Sequence, residues 1–118
     1  MKVAGFGFRS AATEASLADA LARAGGAAGV SALATAADKA GHPALAGLAH
    51  RLGLPVRAVA LADLAGGTPA ARVPARYGAQ SLAEAAALAA AGPGAALAGP
   101  RAVSADRMAT AALAESLR

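Results

Sequence analysis

Near the start of the chain, Gly5-Phe6-Gly7-Phe8-Arg9-Ser10 gathers two glycines, a cation and a hydroxyl within the span of one small ligand. Glycines let backbone amides approach an anion closely, and a helix starting just afterwards adds a favourable dipole. A dinucleotide fingerprint would need a third glycine where Ser10 stands and an acidic residue closing the next strand. Asp38 lies near that second position, but Ser10 breaks the pattern. The competing reading is packing: the glycines ease strand–helix contact, and Ser10 or Thr13 caps the helix. The chemistry left open is an anion loop built from Gly5, Gly7, Phe8, Arg9 and Ser10.

A second cluster, Thr35-Ala36-Ala37-Asp38-Lys39, offers a hydroxyl and an ammonium that suit a carboxylate or phosphate. Asp38-Lys39 reads equally well as a solvated turn. His42 and His50, the two histidines, are spaced eight apart, too far for chelation from adjacent helical turns. With no carboxylate at ligand spacing, no metal site is expected. His42 near Lys39 is a candidate acid–base group. Ser81 and Glu84 have the spacing of a capping box. No Gly-x-Ser-x-Gly nucleophile elbow occurs, and no catalytic residue can be assigned.

These residues need elements to hold them. Met1–Phe8 reads as a buried strand, and Ser10–Ala24 as a helix with Leu17 and Leu21 inward and Ser16, Asp19 and Arg23 outward. Val30–Ala36 reads as a second strand. Pro43 opens a helix whose Leu45, Leu48, Ala49 and Leu52 form one stripe, stopped by Gly53 and Pro55. Val56–Leu61 is a third strand, and Gly66–Tyr77 a long loop. A helix then runs from Ser81 to Gly92-Pro93-Gly94. Ala95–Gly99 and Arg107–Ala114 close the domain as two strands around a turn at Pro100–Asp106. The order implies one α/β domain over residues 1–118, a three-layer arrangement with a largely parallel sheet and helices on both faces. In such sheets ligands lie beyond the strands' carboxyl ends, which brings Gly7–Ser10, Thr35–Lys39 and the 62–77 loop to one edge.

Composition narrows the partners. The 118 residues carry a net charge of +4, yet the Lys and Arg are scattered and aromatics make up only 3%. Nucleic acid is therefore not the expected partner, because the stacking platforms of single-strand binders are missing; a compact anion fits as well. The longest uncharged run, Ala85–Pro100, is interrupted by Gly92, Pro93 and Gly94 and falls short of the roughly 20 apolar residues of a membrane span. The N-terminal apolar stretch is too short for a signal peptide, and the chain has no cysteine. The expectation is a cytoplasmic protein without membrane contact or cofactor. Alanine dominates the apolar fraction, so close helix–sheet contacts over Ala and Gly are the expected packing style.

Gly5-Phe6-Gly7-Phe8-Arg9, Leu33-Ala34-Thr35, Lys39, Pro43, Leu48-Ala49…Leu52-Gly53-Leu54-Pro55 and Gly78-Ala79-Gln80-Ser81-Leu82-Ala83-Glu84-Ala85-Ala86-Ala87-Leu88 occur in that order. In this set the chain resembles the CobE/CbiG C-terminal domain family of cobalamin (corrin ring) biosynthesis. The resemblance covers essentially the whole chain. It implies a small α/β domain that holds or acts on precorrin intermediates, polycarboxylated tetrapyrroles, with other enzymes of the pathway as further partners. The fused family protein opens a lactone on a cobalt-precorrin, so a hydrolase acting on a side group is the alternative to a binder or carrier. A small nucleotide-binding domain is the third reading. The family commonly has cysteine after the second glycine; Phe8 stands there in this chain, which removes any thiol chemistry. Arg9 and Lys39 match family positions. The candidate ligand residues are Gly5, Gly7, Phe8, Arg9, Ser10, Thr35 and Lys39, with Arg72, Arg76 and Arg101 as further carboxylate partners.

Overall fold

In the computed structural model, strand β1 (Lys2–Phe8) lies at the centre of a six-stranded sheet and is buried on both faces. The structure describes residues 1–60, 73–92 and 94–116, with backbone alone over 73–81. β1 pairs in parallel with β2 (Ala32–Ala36), which pairs in parallel with β3 (Val56–Val59). On its other side β1 pairs antiparallel with β6 (Ala109–Glu115) over its whole length, from Lys2–Glu115 to Phe8–Ala109. Two short strands, β4 (Ala96–Leu97) and β5 (Ala102–Val103), share the far edge of β6. β5 falls inside the segment that the sequence suggests is a turn. Two residues are too few to show a period, and only the neighbouring β6 reveals them as a strand.

Alternation along β1 divides the core. Ala4, Phe6 and Phe8 face helices α1 (Glu14–Ala24) and α2 (Pro43–Leu52), together with Leu17, Leu21, Leu45 and Leu48. Val3 joins Ala34, Val59 and the alanines of helix α3 (Val73–Ala91) on the opposite face. This is the expected three-layer domain. α1 starts later than Ser10, because Thr13 caps it: Thr13 Oγ1 accepts from Ser16 N–H, and Ser16 Oγ accepts from Thr13 N–H. α2 starts at Pro43 and ends at Gly53, whose φ of 70° is the left-handed conformation that suits glycine.

The last helix departs most from expectation. It begins at Val73, so residues 73–77 are helical rather than loop, and Ser81 and Glu84 lie inside the helix rather than at its start. A capping-box spacing inside a good alanine-rich helix former does not mark a boundary. The rest of the expected 62–77 loop, up to residue 72, lies outside the described residues, and Arg72 with it.

Candidate functional site

The carboxyl ends of β1 and β2 point to one edge, where Phe8, Arg9 and Ser10 leave β1 and a 3₁₀ turn (Ala37–Lys39) leaves β2. Lys39 arches back over β1. Its Nζ donates to the Phe8 carbonyl at 3.0 Å and lies 5.3 Å from the centre of the Phe8 ring. That ring meets the His42 imidazole edge-on, with centroids 5.1 Å apart. His42 Nε2 is 2.7 Å from the Ser10 carbonyl oxygen, and Nδ1 accepts the Ala44 N–H at 3.1 Å. Phe8, Ser10, Lys39 and His42 thus form one connected cluster, with exposed Arg9 between Phe8 and Ser10 in sequence.

With Arg9 and Lys39 against the exposed Asp38, the charge balance of this edge is positive. Among the described residues the ion pairs are Arg23–Asp19 and Arg51–Glu14, both elsewhere. Lys39, half-buried, therefore rests on a neutral carbonyl and an aromatic face, and Arg9 keeps its guanidinium in solvent with its backbone N–H bonded to the Met108 carbonyl. An ammonium held by such partners keeps N–H groups for an incoming acceptor.

Other candidate residues have internal tasks. Gly5 is buried in the middle of β1, where a Cβ would meet the Ala83 carbonyl oxygen and lie 2.6 Å from the Ala87 nitrogen; α3 lies directly on it. Gly7 is half-buried beneath Leu82, whose Cβ would be 3.3 Å from an added methyl. The glycines therefore serve the approach of an alanine-rich helix to the central strand. Thr35 is fully buried, and its hydroxyl donates to the Phe6 carbonyl at 2.9 Å. The start of α1 already has its own anion: the Asp106 carboxylate accepts from Ser16 Oγ at 2.6 Å in the first turn. Ser16, expected on the polar face, is accordingly buried. Arg101 is exposed just ahead of β5, on the side of β6 away from β1; Arg76 lies in α3, where only the backbone is described.

His42 is the residue that sequence reasoning undervalued. The signal was its place before a helix-opening proline, which marks a cap, combined with a lysine three residues earlier. The bond to Ser10, 32 residues away, depends on tertiary structure.

Comparison with known proteins agrees with this architecture. The family model described as "Cobalamin synthesis G C-terminus" matches residues 2–114. The crystal structure of cobalamin biosynthesis protein chiG from Agrobacterium tumefaciens is similar over 100% of both chains, at 36% identity and a TM-score of 0.76. CobE, a protein from the cobalamin biosynthetic pathway, is 34% identical with a TM-score of 0.75, over 99% of this chain and 91% of its own. A search of curated proteins returns no match. With the family pattern running through nearly every described element and two solved structures sharing the fold at this identity, the chain belongs to the cobalamin synthesis G C-terminal family.

Proposed function

We propose that this protein binds a polycarboxylated tetrapyrrole of corrin biosynthesis at the carboxyl edge of its sheet, holding or carrying it. The observation that carries this reading is the Lys39 ammonium, half-buried on the Phe8 carbonyl with no carboxylate partner among the described residues. A corrin intermediate presents acetate and propionate groups around an apolar macrocycle. A fixed ammonium and the exposed guanidinium of Arg9 at the same strand exit suit two such arms, or one arm held by both. Family membership supports the pathway.

Binding is favoured over side-group hydrolysis by what the nearby hydrogen bonds leave free. Both His42 nitrogens are engaged with backbone groups, so the imidazole is not poised as a general base. Ser16 and Ser104 both donate to Asp106, with no histidine in the set. No nucleophile–base pair occurs among the described residues within this cluster.

The test is titration of the folded protein with a polycarboxylated porphyrin and with pathway intermediates at low ionic strength, following the absorbance spectrum and the ligand mass together. A spectral change without mass change is expected, with affinity falling as salt is added. Absence of binding at low ionic strength overturns the reading, and a mass change replaces the carrier with a hydrolase.

A further inference from the structure

We propose that His42 is a positioning residue of this anion site: as a neutral Nε2–H imidazole it ties the strand exit at Ser10 to the start of α2 and braces the Phe8 ring under Lys39. The proposal rests on the anion-binding reading above and adds to it the residue that sets the site's geometry.

The tautomer follows from the partners. The Ser10 carbonyl can only accept, so Nε2, 2.7 Å away, carries the proton. The Ala44 backbone N–H can only donate, so Nδ1, 3.1 Å away, carries a lone pair. One imidazole thus satisfies an orphan donor in the first turn of α2 and holds the loop that leaves β1. A serine or asparagine would cap the helix as well. Their shorter side chains would not also span to Ser10, so a cap alone does not account for histidine.

The same ring reaches the ligand-holding cation through one intermediate. The two rings stand at 80° to one another, and Phe8 supplies Lys39 with both its carbonyl acceptor and an aromatic surface. Ser10 is two residues beyond Phe8, and Arg9 lies between them. Pinning Ser10 on one side and the Phe8 ring on the other leaves the short segment bearing Arg9 little freedom. The Ala12 N–H closes a turn onto the Arg9 carbonyl at 3.0 Å and reports on that segment directly. His42 touches neither charge; it acts through Phe8 and Ser10.

Two amide substitutions separate the two jobs. In His42→Asn the side-chain oxygen can stand where Nδ1 stands, which keeps the cap and loses the loop bond. In His42→Gln the amide nitrogen can stand where Nε2 stands, which keeps the loop bond and loses the cap. Binding of an octacarboxylate porphyrin should weaken about two- to tenfold in His42→Asn, the effect of a lost hydrogen bond. His42→Gln, which keeps the Ser10 bond but loses the ring against Phe8 as His42→Asn does, should bind more tightly than His42→Asn and less tightly than the wild type, while melting at a lower temperature than His42→Asn. Equal binding in both variants, or binding that follows melting temperature in both, overturns the proposal. If the wild-type protein binds no porphyrin, the ligand reading fails, and the positioning role is decided without ligand. Nitrogen NMR of the His42 ring should then show Nε2 protonated and Nδ1 bare, with Ala12 amide exchange faster in His42→Asn than in His42→Gln. The opposite tautomer, or equal exchange, overturns it.

Discussion

Lys39 and Thr35 sit four residues apart after and within the same strand, yet the structure gives them opposite kinds of work. The Lys39 ammonium is anchored on a carbonyl and keeps donors available, whereas the Thr35 hydroxyl is spent inside the core on the Phe6 carbonyl. Lys39→Ala and Arg9→Ala should each weaken tetrapyrrole binding by about 1.5–3 kcal/mol, the range for a charge-assisted hydrogen bond. If both contact one carboxylate, the double variant loses less than the sum; additive losses would mean separate carboxylates. Thr35→Val should instead leave affinity alone and lower stability by about 0.5–1.5 kcal/mol through the lost β1–β2 hydrogen bond. Calorimetric binding paired with thermal melts distinguishes the two outcomes, and a Thr35→Val protein that melts normally but binds poorly would return Thr35 to the site. Residue type and spacing at this edge left Lys39 open between a ligand contact and a solvated turn, and its match to a family position put it among the candidates. They offered Thr35 as a ligand hydroxyl, because a buried and an exposed threonine at a strand end look alike in sequence; the structure has that hydroxyl on the Phe6 carbonyl.

Between elements, glycine marks two contacts that look similar and differ in consequence. At Gly5 the obstacle to a side chain is the α3 backbone itself, the Ala83 carbonyl and the Ala87 nitrogen, which cannot move aside without shifting the helix. Gly5→Ala should therefore cost at least the roughly 1–3 kcal/mol of core overpacking. At Gly47, inside α2, the obstacle is the Glu14 carboxylate, 2.5 Å from an added Cβ and at the far end of a flexible side chain. That carboxylate pairs with Arg51 at the exposed α1–α2 contact. Moving it sacrifices an exposed ion pair worth about 0–1 kcal/mol, while alanine gains roughly 0.8–1 kcal/mol of helix propensity. Gly47→Ala should melt within about 1 kcal/mol of the wild type, and a loss as large as that of Gly5→Ala would refute the distinction. The elements with a clear period were legible in sequence, namely the Leu17/Leu21 and Leu45/Leu48 faces and the Pro43 start. The start of α3 was not, because an alanine-rich stretch carries little moment and Ser81–Glu84 imitates a boundary. The glycine-rich start was legible as a close approach but not as to what approaches: its partner, α3, comes some 80 residues later in the chain.

Across the whole molecule, the first helix and the last hairpin are joined by polar groups rather than by apolar packing alone. Asp106 accepts from Ser104 Oγ at 2.5 Å, from Ser16 Oγ at 2.6 Å and from the Met108 N–H at 3.0 Å. Asp19 on α1 reaches the same turn, accepting the Ala105 N–H at 2.8 Å while pairing with Arg23. The hydrogen bonds from Ser104, Ser16 and Met108 hold the Asp106 carboxyl below the ordinary value of 3.8; those from Ala105 and Arg23 do the same for Asp19. A carboxyl that titrates lower in the folded than in the unfolded chain binds fewer protons when folded. The stability it contributes is therefore fully present above the unfolded value of about 3.8 and is lost as pH falls through the lowered folded values. Because Arg9 N–H bonds the Met108 carbonyl, the same turn also supports the strand exit beside the proposed anion site. Thermal melts from neutral to strongly acidic pH should be flat at first and then fall steeply below about pH 4 in the wild type. Asp106→Asn, which cannot ionise and presents an amide to two hydroxyls, should start from a lower melting temperature and show a shallower acid limb. If instead the two curves run parallel through the acid range, the acid sensitivity of the fold resides in carboxylates other than Asp106, with Asp19, which takes the Ala105 N–H and so also joins α1 to the β5–β6 turn, the next to vary.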